Sequence, residues 1–107
     1  MDVYSKLRKN GIQLSPENIK IIIDKYNIKE LAIFGSSLRD DYTINSDIDL
    51  LIEFKESENI SLFDLIEIQD YFEKLTNRPV DVVEPASITN PYRRSSILNS
   101  KEVLYVA

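Results

Sequence analysis

The segment from Asp47 to Val83 constrains the fold more than any other part of the chain. Ile48, Leu50, Ile52 and Phe54 are apolar on one parity, while Asp47, Asp49 and Glu53 share the other parity with Leu51. Side chains alternate across a strand, so the pattern predicts a strand over 47–54 that buries the first set. Ser61-Leu62-Phe63-Asp64 follows as a helix start of the capping-box kind, and Leu65, Ile68, Phe72 and Leu75 continue an apolar stripe that ends near Asn77. Val80-Asp81-Val82-Val83 then reads as another strand. A crossover of this length makes the two strands parallel and brings their starts to one edge of the sheet.

The flanking segments add helices and strands around this unit. Residues 2–9 suit a short helix ended by Asn10-Gly11, where glycine supplies the left-handed backbone of a cap. Ser15 as N-cap, Pro16 at the first helical position and Glu17 in the first turn precede Ile19, Ile22, Ile23 and Tyr26 at helical spacing, which predicts a helix over 16–26. Leu31-Ala32-Ile33-Phe34, ended by Gly35, has the form of a buried strand feeding a turn. A last helix is expected over 91–99, and Val103-Leu104-Tyr105-Val106 is either a terminal strand or a tail packed on the core. The expected class is α+β, with a small mixed sheet of three to four strands packed with helices. With 107 residues, 43% of them apolar and 29% charged, the chain suits a single domain over 1–107.

What is missing narrows the chemistry. Without histidine or cysteine the chain has no Ser-His-Asp triad, thiol nucleophile, disulfide or Cys/His zinc site. With only Gly11 and Gly35 it has neither a GxGxxG loop nor a Walker-type loop. Thirteen basic residues against eighteen acidic ones, a net charge of -5, argue against direct binding to nucleic acid. No apolar run approaches the ~18 residues of a membrane span, and MDVYSKLRKNG lacks the apolar stretch of a signal peptide. The expectation is a cytoplasmic protein without a membrane partner.

Asp47 and Asp49 leave the same face of their strand with α-carbons about 6.6 Å apart. Asp81 lies near the start of the parallel strand and can reach the same edge. Three crowded carboxylates repel one another unless cations enter, and the natural cations for all-oxygen ligands are Mg2+ or Mn2+. A lone Asp-x-Asp is commonly a solvated strand end. The preceding Phe34-Gly35-Ser36-Ser37 changes that reading, because Gly35 allows close approach to the backbone, while amide groups and the Ser36 hydroxyl at a helix start form an anion site. Aspartate oxygens holding two metal ions about 3.5 to 4 Å apart, beside a phosphate site, are what nucleotidyl transfer needs. Asp81 is the candidate to accept or orient the proton of the attacking hydroxyl.

These residues carry a resemblance. Gly35-Ser36, then Arg39, then Ser46-Asp47-Ile48-Asp49-Leu50, with Val80-Asp81-Val82-Val83 downstream, resembles the polymerase-beta-like nucleotidyltransferase superfamily. The size and the run SLFDLIEIQDYFEKL are similar to its minimal nucleotidyltransferase branch, and the likeness spans most of residues 15–107. The resemblance implies the nucleotidyltransferase fold, ATP as substrate, two Mg2+ ions with Mn2+ as an alternative, and release of pyrophosphate. It further implies an antitoxin that transfers AMP to a tyrosine of a HEPN-domain ribonuclease toxin and forms a hetero-oligomer with it. Asp47, Asp49 and Asp81 become catalytic metal ligands, and Gly35, Ser36 and Arg39 nucleotide-binding residues. Two other readings are an antitoxin that acts by binding alone and a nucleotidyltransferase with a small-molecule acceptor. Two positions depart from the family pattern: Ser37 stands where an arginine or aromatic residue is common, and Asp40 where glycine follows the motif arginine.

Other residues have plainer readings. Glu53 is a strand-face charge, about 13 Å along the strand from Asp49. Ser37, Thr43 and Ser46 are turn or capping residues. Most of the tyrosines, Tyr4, Tyr26 and Tyr71 among them, fit the core or its rim. Of the adjacent Arg93 and Arg94, at most one is expected to serve the site, because neighbouring helical residues point in different directions.

Overall fold

The structure, a computed structural model, describes residues 2–35 and 47–107. Each of the four α-helices among these residues starts on a side chain that satisfies its free amides. Asp2 accepts from Ser5 N–H ahead of α1 (Val3–Lys9), and Ser15 accepts from Asn18 N–H ahead of α2 (Pro16–Tyr26). Ser61 and Asp64 form the predicted capping box of α3 (Leu62–Thr76). Asn90 accepts from the amides of Tyr92 and Arg93 at the head of α4 (Pro91–Ser100). Gly11 has the left-handed backbone expected after α1, at φ +78°.

Four strands among the described residues, β1 (Ile28–Phe34), β2 (Ile48–Phe54), β3 (Val80–Val83) and β4 (Glu102–Val106), form one sheet in the order β3-β2-β1-β4. The β2–β3 pair is parallel, as the crossover requires, while β1 is antiparallel to both β2 and β4. The sheet is therefore mixed and the class α+β. β1 starts three residues before the apolar run that predicts it, because Asn27 turns the chain from α2 directly into Ile28, which pairs with Phe54. The charges in this extension have partners: Lys29 lies 3.7 Å from Glu53, and Glu30 pairs with Lys101. The C-terminal segment is a strand, with Glu102 opposite Ile33 and Val106 opposite Glu30.

The sheet is covered on both faces. On one, Ile33, Leu50 and Ile52 pack with Leu7, Ile22, Ile68 and Phe72 from the first three helices. On the other, Ala32, Phe34 and Leu51 pack with Ile88 and with Ile97 of α4. Leu51, apolar on the otherwise polar parity of β2, is buried by this second layer. Alternation along the strands gives Asp49 the face of Leu51, and Asp81 the face of Val83.

Side chains four residues apart on α3 hold the outer edge of β3. Gln69 Nε2 donates to the carbonyl of Val80 at 2.8 Å, and the Val80 amide donates to Glu73 Oε2 at 3.0 Å. On the inner side Ile48 N–H donates to the Pro79 carbonyl at 2.9 Å. These bonds satisfy both edges of the strand start and fix its register against β2. Among the described residues, no helix is long and apolar enough to cross a membrane.

Leu50 is fully buried at the centre of the first layer. Leu50→Ala is expected to lose ~2 to 5 kcal/mol in urea unfolding, and a near-neutral change would contradict the burial of this face.

Candidate active site

Parallel pairing puts Asp49 directly opposite Asp81. The antiparallel β1–β2 pairing puts Phe34, the last residue of β1, opposite Asp49 on its other side. The end of β1 and the starts of β2 and β3 therefore meet at one edge. Asp47 immediately precedes β2 and is exposed, Asp81 is exposed, and Asp49 is half-buried between its neighbours.

Burial pushes the Asp49 carboxyl above its ordinary range, and the nearby charges of Asp81 and Asp47 push it the same way. The Arg93 guanidinium opposes them. Asp49 thus lies within electrostatic reach of two carboxylates and one cation, and its charged form is disfavoured in the folded chain.

Gly35 follows Phe34 with φ +81°, a left-handed backbone that glycine adopts without strain. A Cβ on this residue would stand 2.6 Å from Asp49 Oδ2. The backbone at Gly35 thus approaches the Asp49 carboxylate as closely as the missing side chain permits. Ser36 and Arg39, predicted to contact the nucleotide, lie outside the described residues, as do Ser37, Asp40, Thr43 and Ser46.

The donor set suits a hard divalent cation: only carboxylate oxygens, drawn from two adjacent strands, with an excess of negative charge. Among the described residues, no three such side chains are already drawn into a metal-holding arrangement.

Two features of the site are not evident from the sequence pattern. Gln69 and Glu73 set the register of β3 and hence of Asp81; their only sequence signal is the i, i+4 spacing of two polar residues on α3. The adjacent arginines of α4 have different surroundings. Arg94 Nη1 donates to the Pro85 carbonyl at 2.7 Å, whereas Arg93 acts on Asp49. Glu53 is a strand-face charge beside Lys29, as expected.

Comparison with known proteins places the chain in a family. The family model described as nucleotidyltransferase domain matches residues 16–104. A Methanocaldococcus jannaschii protein, provisionally named protein adenylyltransferase MJ1379, is 40% identical over 87 residues, 81% of this chain and 85% of the relative. Protein adenylyltransferase MntA of Thermococcus cleftensis is 31% identical over 87 residues, 81% of this chain and 83% of that one. In fold, the chain is similar to one from a toxin–antitoxin crystal structure solved with AMP-PNP: TM-score 0.70, 17% identity, 88% of this chain and 75% of that chain covered. It is also similar to a structure described as a minimal nucleotidyltransferase, with TM-score 0.68, 24% identity and 94% of each chain covered. The chain belongs to the nucleotidyltransferase family, and is an enzyme of that class.

The close approach at Gly35 gives a direct test of the edge. Gly35→Ala is expected to destabilise the fold by ~1 to 3 kcal/mol, since it strains a left-handed backbone and displaces the Asp49 carboxylate. In chemical denaturation, combining it with Asp49→Ala should recover part of that loss and leave the backbone strain. Strictly additive effects would mean that Gly35 and Asp49 do not meet.

Proposed function

We propose that this protein is an antitoxin adenylyltransferase that transfers AMP from ATP to a tyrosine of a HEPN-type toxin with which it assembles in the cytoplasm. The observation that carries the reading is the pairing of Asp49 with Asp81 at the edge where Gly35 approaches Asp49, in a chain 40% identical to a relative that carries the adenylyltransferase name. In this reading Asp47, Asp49 and Asp81 hold two Mg2+ ions, or Mn2+, and Gly35, Ser36 and Arg39 bind the nucleotide. The ions would neutralise the triphosphate and the departing pyrophosphate.

The chain's own part is to orient and to move a proton. The tyrosine oxygen attacks the α-phosphorus of ATP in line with the bond to the β-phosphate. One P–O bond forms and the other breaks, so AMP remains on the tyrosine and pyrophosphate leaves. Asp81, exposed and at the start of β3, accepts the hydroxyl proton. Asp49 lies between Asp47 and Asp81, so cations bound there would offset the repulsion around its carboxylate.

The test is intact mass spectrometry of a HEPN-type toxin co-expressed with this chain, wild type or carrying Asp47→Asn with Asp49→Asn. The expected result is AMP-sized increments on the toxin that vanish with the double variant, while the variant still folds. Increments that persist with the double variant would overturn the assignment of these aspartates. A toxin that is bound and silent with no increment would favour inhibition by binding alone.

A further inference from the structure

Arg93 and Arg94 are neighbours in sequence with different placements. α4 lies on the second face of the sheet, where Ile97 is buried with Ala32, Phe34 and Leu51. Arg93 precedes Ile97 by four residues, one helical turn, and so shares its sheet-facing side. Asp49 and Asp81 are on that same sheet face, one alternation step beyond Leu51 and Val83. Arg94 is turned away by one residue, and its guanidinium is taken by the carbonyl of Pro85.

We propose that Arg93 is a substrate-binding residue whose guanidinium binds a phosphate oxygen of the nucleoside triphosphate, a role that Arg94 does not share. The inference rests on the adenylyltransferase reading above. A guanidinium offers a fixed fork of N–H donors that matches phosphate, and each such charge-assisted bond is about twice as strong as a neutral one. Arg93 is exposed, so it is open to a ligand arriving from solvent. Its guanidinium is within electrostatic reach of Asp49.

The two arginines provide their own control. Calorimetric titration of ATP in the presence of Mg2+ into wild type, Arg93→Ala, Arg93→Lys and Arg94→Ala is paired with a thermal melt of each. Arg93→Ala is expected to weaken ATP binding about tenfold or more while lowering the melting temperature only slightly, since one charge-assisted bond exceeds the free energy of a tenfold change in affinity. Arg93→Lys should fall between, because it keeps the charge and loses the fork. Arg94→Ala should melt earlier and bind ATP within about twofold of wild type, since only a fold contact is removed. Pyrophosphate in place of ATP should reproduce the Arg93 effect if phosphate oxygens are what it holds. Equal ATP affinity in wild type and Arg93→Ala overturns the inference and leaves the adenylyltransferase reading intact. Equal losses in Arg93→Ala and Arg94→Ala also overturn it, because the effect would then be a disturbance of α4. A wild-type chain that binds no ATP with Mg2+ overturns the reading underneath as well.

Discussion

The repulsion that Asp81 and Asp47 exert on the half-buried Asp49 carboxylate is the constraint that the packing around it must offset. Carboxylates brought together without cations raise the free energy of the folded chain. Asp49 is held in this company by apolar packing on both sides of its strand: Ile48, Leu50 and Ile52 in one layer, Leu51 in the other. The burial of these side chains is worth several kcal/mol in total, which is enough to fix a strand whose end carries an unfavourable charge. In the proposed function the same negative charge would attract divalent cations, which would offset the repulsion.

Topology decides which residues share the edge. The crossover through α3 returns β3 parallel to β2, so both strands start at the same end, while the antiparallel β1 finishes there. One strand end delivers a glycine, and two strand starts deliver aspartates. β3 has only four residues and needs additional support, which comes from Gln69 and Glu73 through the amide and carbonyl of Val80. Asp81 is therefore positioned from α3 as well as from the sheet. On the other face, Ile97 anchors α4 against the sheet.

Much of this was legible in the sequence for identifiable reasons. The alternation of Ile48, Leu50, Ile52 and Phe54 with Asp47 and Asp49 gives the strand, its buried face and the common face of the two aspartates. The crossover length then requires Asp81 to stand near them. The early start of β1 was not legible, because Lys29 and Glu30 break the apolar run and their partners Glu53 and Lys101 are distant in sequence. β4 could not be told from a packed tail, because its strand character comes from pairing with β1 across about seventy residues rather than from local pattern. The roles of Gln69, Glu73 and Arg93 depend on how two helices are rotated against the sheet, which local pattern does not specify. For Ser36 and Arg39 the sequence reading stands alone.

The central claim is that this strand edge is where metal and nucleotide meet. Its most direct test is a crystal structure of the protein with Mn2+ and a non-hydrolysable ATP analogue, with manganese located by anomalous scattering. The account predicts two manganese peaks ligated by Asp47, Asp49 and Asp81, with the triphosphate running from them toward Gly35. Manganese and nucleotide bound elsewhere on the chain, with these three carboxylates untouched, would contradict it.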